Sequence, residues 1–146
     1  MNSILASRLH RTALAAVAGV MTLTAGLASA EDVKVKLTGA EEVPAVTTAA
    51  TGTGTITIGA DKAVSGSVKT TGIEGTAAHI HLAPAGKNGP PVITLTKGED
   101  GTWKVPEGAV LTDAQLVSYK AGELYVNVHS AANKGGEIRA QLKPAK

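Results

Sequence analysis

The chain has no cysteine and no phenylalanine, and its 146 residues include only one tryptophan and two tyrosines. Without cysteine the fold cannot rest on disulfides, and thiolate chemistry is excluded. Without phenylalanine the core must be assembled from Val, Ile, Leu and Ala, and small β-branched side chains suit packed sheets better than helix bundles. A strong charge of one sign is also missing. The 14 basic residues exceed the 12 acidic ones by a formal +2. Two of the basic residues, Arg8 and Arg11, lie in an N-terminal segment that is expected to be removed. What remains is formally neutral and has no electrostatic footing for nucleic acid or other acidic surfaces.

That N-terminal segment has three zones. Met1 to Arg11 is basic and free of acids, Ala13 to Leu27 is largely apolar, and Ala28-Ser29-Ala30 is a small-x-small site followed by Glu31-Asp32. This is the pattern of a secretory signal cut after Ala30. A membrane span needs about 20 apolar residues. The run here is shorter and is interrupted by Thr22, Thr24 and Gly26. The sequence therefore predicts a cleaved signal peptide over 1–30 and a single domain over 31–146. It predicts no membrane span after cleavage, and a periplasmic or secreted product.

Beyond residue 30 the pattern is short alternation broken by turn residues. Val33–Leu37, Thr55–Ile58, Val64–Lys69, Ala77–Leu82, Val92–Leu95, Gly101–Val105, Leu124–His129 and Glu137–Leu142 read as strands. Gly39 to Gly54, broken by Pro44, reads as a loop with some extended structure, and Pro84 to Pro91 as an irregular loop. One short helix is predicted near 112–119. Thr112 is its N-cap, Gln115 completes a capping box, Leu116 turns inward and Gly122 ends the element. Seven or eight short strands with turns between them predict an all-β fold, an antiparallel sandwich or barrel.

Three histidines remain after cleavage, and each has a readable phase. His79 and His81 share one face of their strand, about 7 Å apart along it. His129 lies with Tyr125 and Asn127 on the polar face of another strand. Cross-strand neighbours have Cβ atoms about 5 Å apart, so pairing of the two strands would bring three imidazoles together outside the apolar core. Such a cluster suits copper or zinc. The polar face of the last strand holds Glu137, Arg139 and Gln141. A hairpin between the two final strands places Glu137 near His129, where it is expected to orient the ring, and Asn127 near Arg139. Tyr125 is counted among the residues around the site, though covering the sheet is its simpler role. Glu41-Glu42 reads as a solvated acidic pair, one that could reach a metal if its loop folds over the sheet. Gly52-Thr53-Gly54 is too short for a phosphate loop, and Ser65, Ser67 and Ser118 have no nearby His–acid partner.

From Leu37 almost to the end the chain resembles the CHRD domain, a module named from chordin and common in bacterial exported proteins. The resemblance rests on Leu37-Thr38-Gly39-Ala40-Glu41-Glu42-Val43-Pro44, on Ala78-His79-Ile80-His81 with Gly86 to Pro90, and on Leu111 to Leu116. It is longest over Gly122-Glu123-Leu124-Tyr125-Val126-Asn127-Val128-His129 through Gly135-Gly136-Glu137-Ile138-Arg139. More distantly, His-x-His, a later strand ending in His, Gly-Gly and a final strand with Arg are similar in order to copper-zinc superoxide dismutase. That resemblance implies a Greek-key β fold and puts His79, His81 and His129 at copper-ligand positions, with Arg139 echoing the arginine that guides superoxide. The bridging histidine, the zinc loop and the cysteine pair have no counterpart here, and the loop before Arg139 is much shorter.

The expectation is an exported protein that binds a single copper ion, with zinc second, through His79, His81 and His129, for metal handling or sensing rather than turnover. Glu137, Asn127, Arg139 and Tyr125 would surround the ion. Two alternatives belong to other classes. One is a metal-free interaction or adhesion module with an extracytoplasmic protein partner; the other is a dismutase-like copper redox enzyme.

Overall fold

The computed structural model describes residues 29–145. The predicted leader, apart from Ser29 and Ala30, lies outside the described residues. Nine strands form: β1 (Ala30–Thr38), β2 (Thr51–Gly59), β3 (Val64–Thr71), β4 (Gly75–Leu82), β5 (Pro91–Thr94), β6 (Thr96–Lys97), β7 (Thr102–Lys104), β8 (Leu124–Ser130) and β9 (Ile138–Leu142), with one helix, α1 (Asp113–Lys120). Every pairing is antiparallel, in the order β5-β4-β8-β9-β1-β2-β3-β7-β6. The two ends of that order are consecutive in sequence, with only Leu95 between them. Leu95 donates its N–H to the Ala78 carbonyl at 2.9 Å and is buried, so the sheet curls into a nearly closed barrel. The neighbours β4 and β8, and β3 and β7, are distant in sequence. The chain reaches them by crossing the barrel ends, as Greek-key connections do.

Alternation decides which side chains enter the barrel. In β1, Val33, Val35 and Leu37 are buried while Lys34 and Lys36 point outward. Ile56, Val68, Ile80, Val126, Val128, Ile138 and Leu142 meet them in the core. α1 begins as its sequence predicts. Thr112 accepts from the Gln115 N–H, and the Gln115 side chain accepts from the Thr112 N–H. Gly122 follows the helix with φ +75, the left-handed conformation that ends such elements.

Several boundaries differ from the sequence prediction, two of them by three residues or more, and β6 was not predicted. β1 begins at Ala30 rather than Val33, and β2 at Thr51 rather than Thr55. Gly52 and Gly54 look like loop punctuation, yet they pair in register with Leu37 and Val35. The threonines at 51, 53 and 55 keep the alternation going through them. A larger departure occurs at β8. Six of its seven residues are buried, so both of its faces are covered, and only His129 is partly open. The outward polar face predicted for this strand is a second, polar buried layer.

Candidate metal centre

The centre is built on the outward faces of β4 and β8. Their register sets Ala77 against His129, His79 against Asn127 and His81 against Tyr125. All five of His79, His81, Tyr125, Asn127 and His129 therefore share one face, and His129 lies diagonally from His79. Ring centroids are 5.3 Å apart for His79–His81, 4.9 Å for His79–His129 and 5.9 Å for His81–His129. Each ring offers a nitrogen within 4.8 Å of the others, the three histidines that the sequence singles out.

Backbone carbonyls set the tautomers of two rings. His81 Nδ1 is 2.9 Å from the Gly89 carbonyl, and His129 Nδ1 is 2.8 Å from that of Lys134. A carbonyl only accepts, so both Nδ1 atoms carry the proton and both Nε2 atoms carry a lone pair. His129 Nε2 accepts from His79 Nδ1 at 3.0 Å. His81 Nε2 is buried and has no partner. His81 is pushed below the usual histidine range mainly by burial and also by the charges of His129 and Arg139, against the opposing effects of the Gly89 carbonyl and Asn127. His79 is lowered by burial, then by its two histidine neighbours. Both shifts favour the neutral imidazole that binds metal.

A packed column backs His81. Tyr125 stacks flat on its ring, with centroids 4.7 Å apart and planes at 3°. The Arg139 guanidinium lies 3.4 Å from the Tyr125 ring centre, on the side facing β9. Tyr125 thus flanks the site directly. Its hydroxyl accepts from the Gly89 N–H, in the loop between β4 and β5, at 3.4 Å. That loop is held by Arg139, which is 1% exposed and donates to the Lys87 carbonyl at 2.9 Å, Asn88 Oδ1 at 3.3 Å and the Pro84 carbonyl at 3.4 Å. Asn88 Nδ2 in turn donates to the Val43 carbonyl at 2.6 Å.

Asn127 stands opposite Arg139 in the β8–β9 ladder, as the sequence predicts. Its Nδ2 donates to Glu42 Oε1 and to the Gly135 carbonyl, both at 3.4 Å, while its Oδ1 is buried without a partner. Glu42 corrects the solvated-pair assignment. Glu41 is exposed, but Glu42 is only 5% exposed. Burial pushes its carboxyl up to about 7, against the Asn127 hydrogen bond and the Arg139 charge. Gly136, at φ +130, leaves room for this contact, since a side chain there would strike Asn127 and Glu42.

Glu137 is placed differently from the expectation. Thr48 Oγ1 donates to it at 2.7 Å, and hydrogen bonds from Ser130, Thr48 and Asn133 hold its carboxyl below the usual range. The partner of His129 Nδ1 is the Lys134 carbonyl, because the β8–β9 turn folds its backbone back over the ring. Three contributors had weak sequence signals. Glu42 lies in the segment between β1 and β2, and its contact with Asn127 spans 85 residues of chain, so no local pattern marks it. The carbonyls of Gly89 and Lys134 carry no side-chain signal at all.

The family profile of the CHRD domain matches residues 33–142. No curated protein and no solved structure gives a match. CHRD domains occur in extracellular or secreted proteins. Among the described residues no helix is long and apolar enough to cross a membrane.

Proposed function

This chain belongs to the CHRD domain family, and from that premise we propose that it is an exported domain that holds one copper ion through His79, His81 and His129, in metal handling or sensing. The single observation that carries the reading is His81 Nε2, a buried lone pair with no donor, on a ring that offers a nitrogen within 4.8 Å of nitrogens on two further histidines. Leaving such a group unsatisfied costs about 1–3 kcal/mol, and a metal ion satisfies it. The carbonyls behind His81 and His129 are the kind of outer contact that fixes ring orientation in metal sites.

Copper is preferred to zinc on two grounds. Nitrogen sites bind Cu(II) more tightly than Zn(II) in the usual order of divalent metals. The order of the three histidines along the chain is also similar to that of the copper ligands in copper-zinc superoxide dismutase. The three-zone leader supports export, to a periplasm or beyond the cell.

Titration of the protein with Cu(I), Cu(II) and Zn(II), beside its His81→Ala and His129→Ala variants, tests the reading. Copper affinity is expected to fall by about a hundredfold or more in each variant, as loss of one of three ligands implies. Equal affinity in all three proteins overturns it.

A further inference from the structure

The column Arg139–Tyr125–His81 places a buried cation one aromatic ring away from a metal ligand. We propose that this column makes the three-histidine centre a Cu(I) site, with Arg139 setting the preference for the monovalent ion. The inference rests on the copper reading above and deepens it.

The ligand group itself contains no anion. Among the described residues its members are His79, His81 and His129, and no carboxylate joins them. Neutral imidazoles leave the full charge of the ion in place, so the surroundings decide how much charge is tolerated. Arg139 is a buried cation one aromatic ring away from His81, and a guanidinium stays charged in proteins. Its hydrogen bonds go to neutral acceptors, namely the Lys87 and Pro84 carbonyls and the side chains of Asn88 and Gln141. Among the described residues the ion pair within 4.0 Å is Lys62–Asp113, at the start of α1, and Arg139 has none. Its charge therefore remains uncancelled by contact.

Tyr125 transmits that field without diluting it. The ring is 2% exposed, pressed against Arg139 at 3.4 Å and against His81 at 4.7 Å, so no water layer separates the cation from the ligand. A second positive charge on a metal bound to the His81 ring is penalised by that field. At an effective dielectric near 20, a unit charge at this range changes the balance between Cu(II) and Cu(I) by roughly tenfold or more.

The other charged groups around the column do not reverse its sign. Glu42 is the acid facing Arg139 and Asn127; its contact is with Asn127 Nδ2, and among the described residues it makes no ion pair with the guanidinium within 4.0 Å. Glu137 is ionised but turned toward Thr48 and Ser130. Lys87 and Lys134, on the two flanking loops, are exposed cations.

The test measures Cu(I) affinity anaerobically against a chromophoric Cu(I) chelator, and Cu(II) affinity against a competing amine ligand, at pH 8. The proteins are the wild type, Arg139→Gln and Glu42→Gln, each checked for folding by circular dichroism. The wild type is expected to hold Cu(I) more tightly than Cu(II). Arg139→Gln should shrink the ratio of the two affinities by about tenfold, and Glu42→Gln should widen it severalfold. A ratio unchanged in folded Arg139→Gln overturns the inference. If that variant does not fold, Glu42→Gln decides, and an unchanged ratio there overturns it. Cu(II) held at least as tightly as Cu(I) by the wild type overturns this inference alone, whereas failure to bind either ion overturns the copper reading as well.

Discussion

At Glu42 a carboxyl is buried beside a neutral amide and within reach of a buried guanidinium. Desolvation outweighs both favourable contacts, and the group is raised from 4.5 to about 7. The sign of the consequence follows from proton counting. Between those two values the folded protein keeps a proton that the unfolded chain has lost. The contribution of Glu42 to stability is therefore fully present below 4.5 and is lost as pH rises through about 7. Glu42→Gln removes this dependence while keeping an oxygen for Asn127. The variant is expected to gain stability relative to wild type on going from pH 5 to pH 8, read as the difference in Tm between the two proteins. A difference that does not change with pH rules out the assignment. His79 and His81 act in the opposite sense. Their lowered values mean that the unfolded chain takes up protons first as pH falls below 6.5, so the metal-free protein loses stability there.

At the scale of elements, the loop between β4 and β5 does more than connect strands. It carries the Gly89 carbonyl that orients His81, and its own backbone is clamped by Arg139. Gly89 lies so close to the Leu82 carbonyl that any side chain there would displace the loop. Gly89→Ala is expected to leave the barrel folded and to weaken copper binding by about 10- to 100-fold, the usual cost of losing an orienting partner behind a metal ligand. Copper titration beside far-UV circular dichroism checks this. Affinity equal to wild type would show that the carbonyl is dispensable. The sequence marked this segment as irregular from Pro84, Gly86, Asn88-Gly89 and the double proline. Where it folds was not legible, because its contacts run to Arg139, 50 or more residues away in the chain. The helix and its cap were legible, since a capping box is local to four residues, but its buried residue Tyr119 was not.

At the scale of the whole molecule, barrel closure depends on a short passage from β5 through Leu95 to β6 and β7. Trp103 in β7 fills the core at this seam. It is 3% exposed, packs near Gly75 of β4, and has Lys97 Nζ 5.6 Å from its ring centre. Trp103→Ala is expected to cost about 3–5 kcal/mol, as large buried aromatics do. Urea unfolding measures it, and a loss under about 1 kcal/mol would show that the seam is not part of the cooperative core. With no phenylalanine in the chain, no other residue of this size is available to fill the gap.

The sequence by itself determined the inward faces of β1, β4, β8 and β9, the helix and its cap, and the shared phase of His79, His81 and His129. These are period-two or four-residue properties, set by neighbours along the chain. Only the tertiary structure decided that β4 lies beside β8, so that a histidine pair 50 residues apart comes to 3.0 Å. It also decided that Glu42 and the β4–β5 loop cover the polar face, that Lys134 rather than Glu137 meets His129, and that Arg139, Tyr125 and His81 stack in one column. Alternation says which way a side chain points. What it meets there depends on strand order and on loops that return from distant parts of the chain, and those contacts exist only once the barrel has closed.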